Sequence, residues 1–400
     1  MNLDSKSEVS DWWQYLQTVA KQEDVQAGRS LQTISPSTPR TEMIATDVPI
    51  DGSANAVAGT EFSQINVQSQ LQSESQLQSE SQLQSQLQSQ IQAESYLQRP
   101  CINNRFYLGE PIASGAFGQV FLATDSESSH QVAVKLEERS AKYPQLDFEA
   151  KVYRWLSGGK GIPSLMWYGQ EGAYNVLVVE RLGYSLDHLF QFCKGRLSLK
   201  TVICMTTMLL HRLEYMHNRG VIHRDLKPEN FVLGLGEDSS VLYIIDFGLS
   251  KCFRDPVTQK HIPFREGKSL IGTPRYASIN NHRGCEQSRR DDIEALMYIV
   301  IYLLRGSLPW QRLKHNSGED KMKHFKQIER VKSSLTPEEL CRGIPSEFAV
   351  MLKYARTLQF DETPDYMRLR RLLSRLFKKQ MFTNDNYYDW TERMVLQTDM

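Results

Sequence analysis

The chain has 400 residues, 40% hydrophobic and 24% charged, the composition of a globular protein. Lys plus Arg and Asp plus Glu balance at 47 each, so zero formal net charge points to neither nucleic acid nor an anionic membrane as main partner. No apolar run approaches the ~18 residues needed to span a bilayer, and the start, MNLDSKSEVSDWW, lacks the basic and apolar regions of a secretory signal. The six cysteines form no C-x-x-C pair. That pattern suits reduced thiols in a cytoplasmic or nuclear protein better than a disulfide framework or a zinc site.

Residues 1–100 differ in composition from the rest. Residues 71–95 run LQSESQLQSESQLQSQLQSQIQAES, with Leu71, Leu77 and Leu83 six apart and Leu83, Leu87 and Ile91 four apart. Neither a helical period nor strict alternation is sustained, and the apolar groups are too few to offset the entropy of ordering. The tract reads as a disordered low-complexity extension, with Gln-rich self-association as the alternative. Upstream, Ser35-Pro36 and Thr38-Pro39 have the form of proline-directed phosphorylation sites. Residues 9–20 suggest a short helix, with Ser10 as N-cap and Trp13, Leu16 and Ala20 along one face.

From about Phe106 to Trp390 the chain reads as one folded unit, followed by a short tail over 391–400. RFYLGEPIA, QVFLATD and HQVAVKLE carry the β-branched and aromatic residues of strands, separated by turn residues. A helical pattern follows near Phe148–Leu156, then a strand at Asn175–Glu180, and long helical periods at Leu199–Asn218 and Arg290–Leu304.

Within this unit lies a phosphate-handling constellation. IASGAFGQV at 112–120 is a glycine-rich turn between strands, whose backbone N–H groups can approach phosphates. Ala113 holds the first position of a G-x-G-x-x-G pattern, and Gly115 and Gly118 hold the others. Lys135 ends the VAVK strand, where a cation meets α- and β-phosphates, and Glu149 on the following helix can pair with it. In HRDLKPEN, Asp225 can accept a hydroxyl proton, Lys227 can offset charge at the transferring phosphoryl, and Asn230 offers a magnesium ligand. In IIDFGLS, Asp246 stands where it can chelate magnesium. In this order and spacing, these groups form the protein-kinase signature set.

The chain also resembles the casein kinase I family over about residues 106–390. The resemblance rests on KLE at 135–137, YPQLDFEAKVYRWL at 143–156, GIPSLMWYGQEGAYNVLVVERLG at 161–183 and HIPFREGKSLIGTPRYASINNHRGCEQSRRDDIEAL at 261–296. GSLPWQ, PSEF and PDY extend it, and Ser278-Ile279-Asn280 stands where most kinases have Ala-Pro-Glu. The resemblance implies an α+β, bilobal kinase fold, with a small β-rich lobe and a larger helical lobe around an ATP cleft. It implies an active serine/threonine kinase using ATP and Mg2+ as a monomer on protein substrates.

Residue by residue, the resemblance implies Lys135 on the phosphates with Glu149 as partner, Asp225 as base, and Asn230 and Asp246 on magnesium. Ile112, Val120 and Ala133 would line the nucleotide site, with Val179 as a small gatekeeper and Glu180–Leu182 as the adenine-binding hinge. Substrates would be Ser/Thr sites a few residues after a phosphorylated or acidic group, read by guanidinium and ammonium groups. Arg275 matches one anion site, with Lys321, Lys323 or His324 as stand-ins for a missing lysine partner. Arg224, Lys251 and Lys268 match a second basic cluster. Activity without activation-segment phosphorylation is expected, since the resemblance includes no phosphosite there.

Three departures stand out. Ala113 should weaken ATP binding by about the effect of one added methyl near the phosphates. Asp187-His188 replaces a pair of acidic residues at the cleft lip, and the family's long C-terminal regulatory tail is not seen after Trp390. The alternative class is a pseudokinase scaffold that recruits partners through residues 1–100; the intact catalytic groups argue against it.

Overall fold

The computed structural model describes residues 99–115, 118–255, 258–313 and 321–391. The Gln/Ser tract, the Ser-Pro and Thr-Pro dipeptides and the 9–20 helix lie outside them, as does almost all of the 391–400 tail. The chain divides into two units, 1–107 and 108–400. In the first, Cys101–Ile102 (β1) pairs antiparallel with Tyr107 and Phe106, where Phe106–Gly115 (β2) begins.

In the second unit, Gly118–Asp125 (β3), Gln131–Glu138 (β4), Leu165–Glu171 (β5) and Tyr174–Glu180 (β6) complete a sheet ordered β2-β3-β4-β6-β5. Alternation decides its two faces. Val132, Val134 and Leu136 of β4 are buried, whereas Ala133 and Lys135 face the other way and are only half-buried. The antiparallel register puts Val120 opposite Lys135, and Val179 opposite Ala133. Lys135, Ala133, Val120 and Val179 therefore share one face.

Leu146–Trp155 (α1) crosses between β4 and β5. Leu146, Glu149, Ala150 and Tyr153 recur at helical spacing and are all buried. Its N-cap residue, Gln145, makes no side-chain cap, and Glu137 of β4 does that work instead. The Glu137 carboxylate accepts from the backbone N–H of Gln145 at 2.6 Å and of Leu146 at 3.2 Å. The KLE string thus joins strand to helix, because the residue two after Lys135 anchors the helix that carries Glu149.

Helices make up most of the remainder. Leu186–Phe192 (α2) and Leu199–Asn218 (α3) are N-capped by Ser185 and Ser198, whose hydroxyls accept backbone N–H bonds. Ile279–His282 (α4) precedes Arg289–Arg305 (α5), which is buried along most of its length and forms the centre of the apolar core. Lys321–Ser334 (α6), Pro337–Leu340 (α7), Ser346–Thr357 (α8) and Tyr366–Lys379 (α9) surround it. Among the described residues, no helix is long and apolar enough to cross a membrane. All six cysteines carry free thiols.

Candidate active site

Lys135 is the first fixed point. Its ammonium lies 2.7 Å from Glu149 Oε2 and 2.9 Å from Asp246 Oδ1. Burial alone would lower its pKa, but the two carboxylates outweigh burial and hold it above the ordinary lysine value. Burial would likewise raise Asp246, yet Lys135 keeps it below the usual carboxylate range. Lys135 and Asp246 are therefore charged together at neutral pH, while burial raises the Glu149 pKa above the ordinary carboxylate value despite the ammonium beside it.

Asp246 is held in the left-handed region, φ 66°, a conformation that costs a non-glycine residue about 1 kcal/mol or more. The next residue supplies the compensation. Phe247 is fully buried, edge-on to Tyr153 of α1 at 4.8 Å and tilted against His223 at 5.6 Å. With the phenyl ring locked inside, the Asp246 carboxylate is turned out toward Lys135. His223 is oriented in turn by its contacts. Its Nδ1 accepts from the Asp225 N–H at 3.3 Å, so Nε2 carries the proton and donates to the Ile245 carbonyl at 3.1 Å.

The loop carrying Asp225 is held from below by Asp292 of α5. This buried carboxylate accepts from the backbone N–H of His223 at 2.8 Å and of Arg224 at 3.0 Å, and pairs with His217 at 2.9 Å. Arg224 also adopts a left-handed backbone, φ 69°. The consequence appears one residue later, at Asp225. Its Oδ1 accepts both the backbone N–H and the hydroxyl of Thr273, each at 2.7 Å, and its Oδ2 meets Lys227 Nζ at 2.9 Å. Asn230 donates its amide to the Asp225 carbonyl at 3.0 Å, a contact that does not use its Oδ1.

Gly272 makes the Thr273 contacts possible. A Cβ there would sit 2.4 Å from the Arg224 carbonyl and 3.2 Å from Asp225 Oδ1, and its φ of +89° already requires glycine. At the other end of the cleft, Gly118 has φ +130°, and a Cβ would fall 2.0 Å from the Leu136 carbonyl. Ile112 and Ala113 are exposed on β2. Glu180 ends β6 and Leu182 follows in the connection to α2, while Glu180 Oε2 accepts the Ser164 N–H at 3.0 Å. His188 stacks on Tyr184 at 4.6 Å.

The cations of the expected second cluster do come together, around a carboxylate that sequence reasoning did not single out. Glu286 lies 2.8 Å from Lys251 and 3.6 Å from Lys268. Arg224 spends its guanidinium on the Leu249 and Ser250 carbonyls and faces Glu286 electrostatically. Between them is a cavity of about 90 Å³, also lined by Asn281 and Gln287. Arg275 is not part of this cavity. Its guanidinium stands over the rings of Tyr276 and Tyr302, at 5.7 and 5.8 Å.

A family model of the protein kinase domain matches residues 106–382, more than two-thirds of the chain. The chain belongs to the protein kinase family. It is a protein kinase with a β-rich N-lobe sheet and a helical C-lobe, and the cleft-facing groups described above are those of its ATP-using domain.

Several of this kinase's working contacts had no advance signal. Asp292 lies within the 261–296 stretch, yet only its distant partners reveal its role. Thr273 was part of GTPRY without a role of its own. The expected stand-ins Lys321 and Lys323 lie exposed on the first turn of α6. The α6 cation that reaches the GTPRY segment is Lys332, further along and fully buried. Ser278 N-caps α4, and Asn280 brings no charge; the carboxylate that meets Arg356, at 3.7 Å, comes from Glu294 of α5.

Proposed function

We propose that this kinase is a magnesium-dependent serine/threonine kinase of the casein kinase I type, acting on sites that follow a phosphorylated or acidic residue. The observation that carries the reading is the setting of Asp225. Thr273 fixes one carboxylate oxygen through two short hydrogen bonds, while Lys227 shares the other. A carboxylate so oriented can take the proton of a hydroxyl as its oxygen attacks the γ-phosphorus. The same contacts hold the 272–276 segment close against the base. That closeness suits a short Ser or Thr side chain, since a tyrosine hydroxyl stands a full ring farther out.

Lys135, clamped between Glu149 and Asp246, orients the α- and β-phosphates, and Lys227 offsets charge at the transferring group. Among the described residues no cluster of three or more His, Cys, Asp or Glu is arranged for a metal. Magnesium needs none, because it typically takes one or two protein oxygens and completes its shell with phosphates and water. Asn230 Oδ1 and Asp246 fit that donor set, and the bound ion would supply charge neutralisation on the phosphates. The sheet face bearing Val120, Ala133 and Val179, with Ile112, Ala113 and Gly115 at the end of β2 and Gly118 at the start of β3, would enclose the nucleotide, and Glu180–Leu182 would meet adenine. Arg275, with Arg224, Lys251 and Lys268, provides the cations for a phosphate or carboxylate on the substrate.

The test is transfer of labelled phosphate from ATP to casein and to paired peptides, pSer-x-x-Ser and its unphosphorylated twin. Wild type should label casein, and Asp225→Asn should lose about 10³-fold in kcat, within the range for removing a positioned base. Equal labelling by both proteins, or by neither, sinks the enzyme reading. Equal rates on the two peptides sink the substrate preference alone.

A further inference from the structure

Lys332 is an anomaly for an ordinary helix. It sits near the end of α6 with no exposed surface, and no carboxylate lies within ion-pair distance of it among the described residues. Its nitrogen is instead fully engaged by polar and aromatic groups. It lies 2.8 Å from the Pro274 carbonyl, 2.6 Å from the Ala277 carbonyl and 3.1 Å from His282 Nε2. The rings of Tyr298 and Trp310 cover it at 5.0 and 4.9 Å. Two N–H bonds go to the carbonyls, and the third contact is made with His282 Nε2, which itself lies 3.1 Å from the Pro274 carbonyl.

The two carbonyls flank Arg275. The third carbonyl of the same turn, that of Arg275 itself, accepts the Trp310 indole N–H at 2.7 Å. Lys332 and Trp310, which also touch each other, therefore hold three of the four carbonyls from Pro274 to Ala277 from beneath. The guanidinium of Arg275 stands over the rings of Tyr276 and Tyr302. Placing a lysine nitrogen out of water costs several kcal/mol unless its partners are well placed. The bland reading is that this cost stabilises the C-lobe. An apolar side chain of similar volume under the loop would serve that purpose as well. What an apolar residue could not do is fix the carbonyls, and hence the direction, of the segment that carries Arg275.

We propose that Lys332 and Trp310 form a brace that positions Arg275 for recognition of the substrate's anionic group. The brace is a positioning device acting through Arg275, and it rests on the reading of Arg275 as an anion-binding residue. Thr273, one residue before the braced stretch, keeps its own anchor on Asp225, so substrate affinity depends on the brace more than proton abstraction does.

The test is a double-mutant cycle on the pSer-x-x-Ser peptide, with steady-state kinetics for peptide and ATP. Arg275→Ala should raise peptide KM about tenfold, and Lys332→Met about fivefold with ATP KM unchanged, the scale of losing one or two hydrogen bonds to a charged group. The double variant should be no worse than Arg275→Ala, because the brace acts only through that residue. Lys332→Gln, which keeps N–H donors, should recover part of the loss. Multiplying effects of about fiftyfold in the double variant, or a fall in kcat with altered ATP KM, overturn the brace. An Arg275→Ala enzyme equal to wild type overturns the anion reading and the brace with it, whereas a weakened Arg275→Ala with multiplying effects overturns the brace alone. Should Lys332→Met fail to fold in a thermal melt, Trp310→Phe carries the same cycle, since it keeps an aromatic ring and removes the N–H to Arg275 along with part of the indole.

Discussion

Two charged clusters in this kinase have opposite balances. At Lys135 one cation faces two carboxylates, Glu149 and Asp246, all partly or wholly withdrawn from water. At Glu286 one carboxylate faces three cations, Lys251, Lys268 and Arg224. The first cluster sets one cation among carboxylates, so phosphate oxygens can join it only with metal ions that offset their added negative charge. The second carries excess positive charge and can take an anion with no metal at all. On the function proposed above, the difference would separate a nucleotide end of the site from a peptide-reading end by electrostatics, independent of any motif.

The sharpest way to break the first cluster is to remove its only cation. Lys135→Met leaves Glu149 and Asp246 facing each other in a low-dielectric setting, with nothing to orient the phosphates. Transfer of labelled phosphate should fall by about 10²–10³-fold, comparable to the loss of other transition-state electrostatic groups. Glu149→Gln keeps the Lys135–Asp246 contact and should cost less. If the two variants were equally impaired, Lys135 would act only when Glu149 holds it in place, and the contact with Asp246 would not be enough.

A smaller effect is expected where the two ends meet. Gly272→Ala places a methyl 2.4 Å from the Arg224 carbonyl at a φ of +89°. The strain of about 1–3 kcal/mol can be relieved only by lifting the segment away from Asp225. We expect kcat to fall by about tenfold while ATP KM stays near wild type, which rapid-quench kinetics can separate. An unchanged kcat would mean that the Thr273 contacts do not orient the base.

What could be read in advance follows a physical division. Lys135, Asp225, Asn230 and Asp246 sit in short strings whose chemistry is local, so order and spacing single them out as candidates. Helix α3 runs from Leu199 to Asn218, as its period and the Ser198 cap require, and α5 exceeds its expected span by one residue at each end. The groups that set geometry rather than chemistry were not legible. Glu137 caps α1 from a neighbouring strand, Asp292 holds His223 from a helix 69 residues later, and Lys332 reaches Pro274 across 58 residues. No local pattern encodes such contacts. The two-residue strands Val221–Ile222 and Lys251–Cys252 were invisible for the same reason, since each exists only by pairing with the other.

The second cluster can be sharpened rather than broken. Glu286→Gln removes the carboxylate and leaves Lys251, Lys268 and Arg224 without a counter-charge. Lys268 is 41% exposed, so solvent screens much of the change. Inorganic phosphate should therefore inhibit the variant about threefold more tightly than wild type at saturating ATP, with the gain shrinking as salt is added. Burial would raise the Glu286 pKa, but Lys251 and then Lys268 outweigh it and hold the carboxylate below its ordinary range. For a depressed carboxylate, the stabilisation is complete above the unfolded-state pKa and is lost as pH falls through the lower folded value. Wild type should thus melt above the Gln variant at neutral pH, with the gap closing only in acid below the usual carboxylate range. A gap that persisted in strong acid would show that Glu286 stabilises by shape and hydrogen bonding rather than by charge, and the contrast between the two clusters would then fail at its second member.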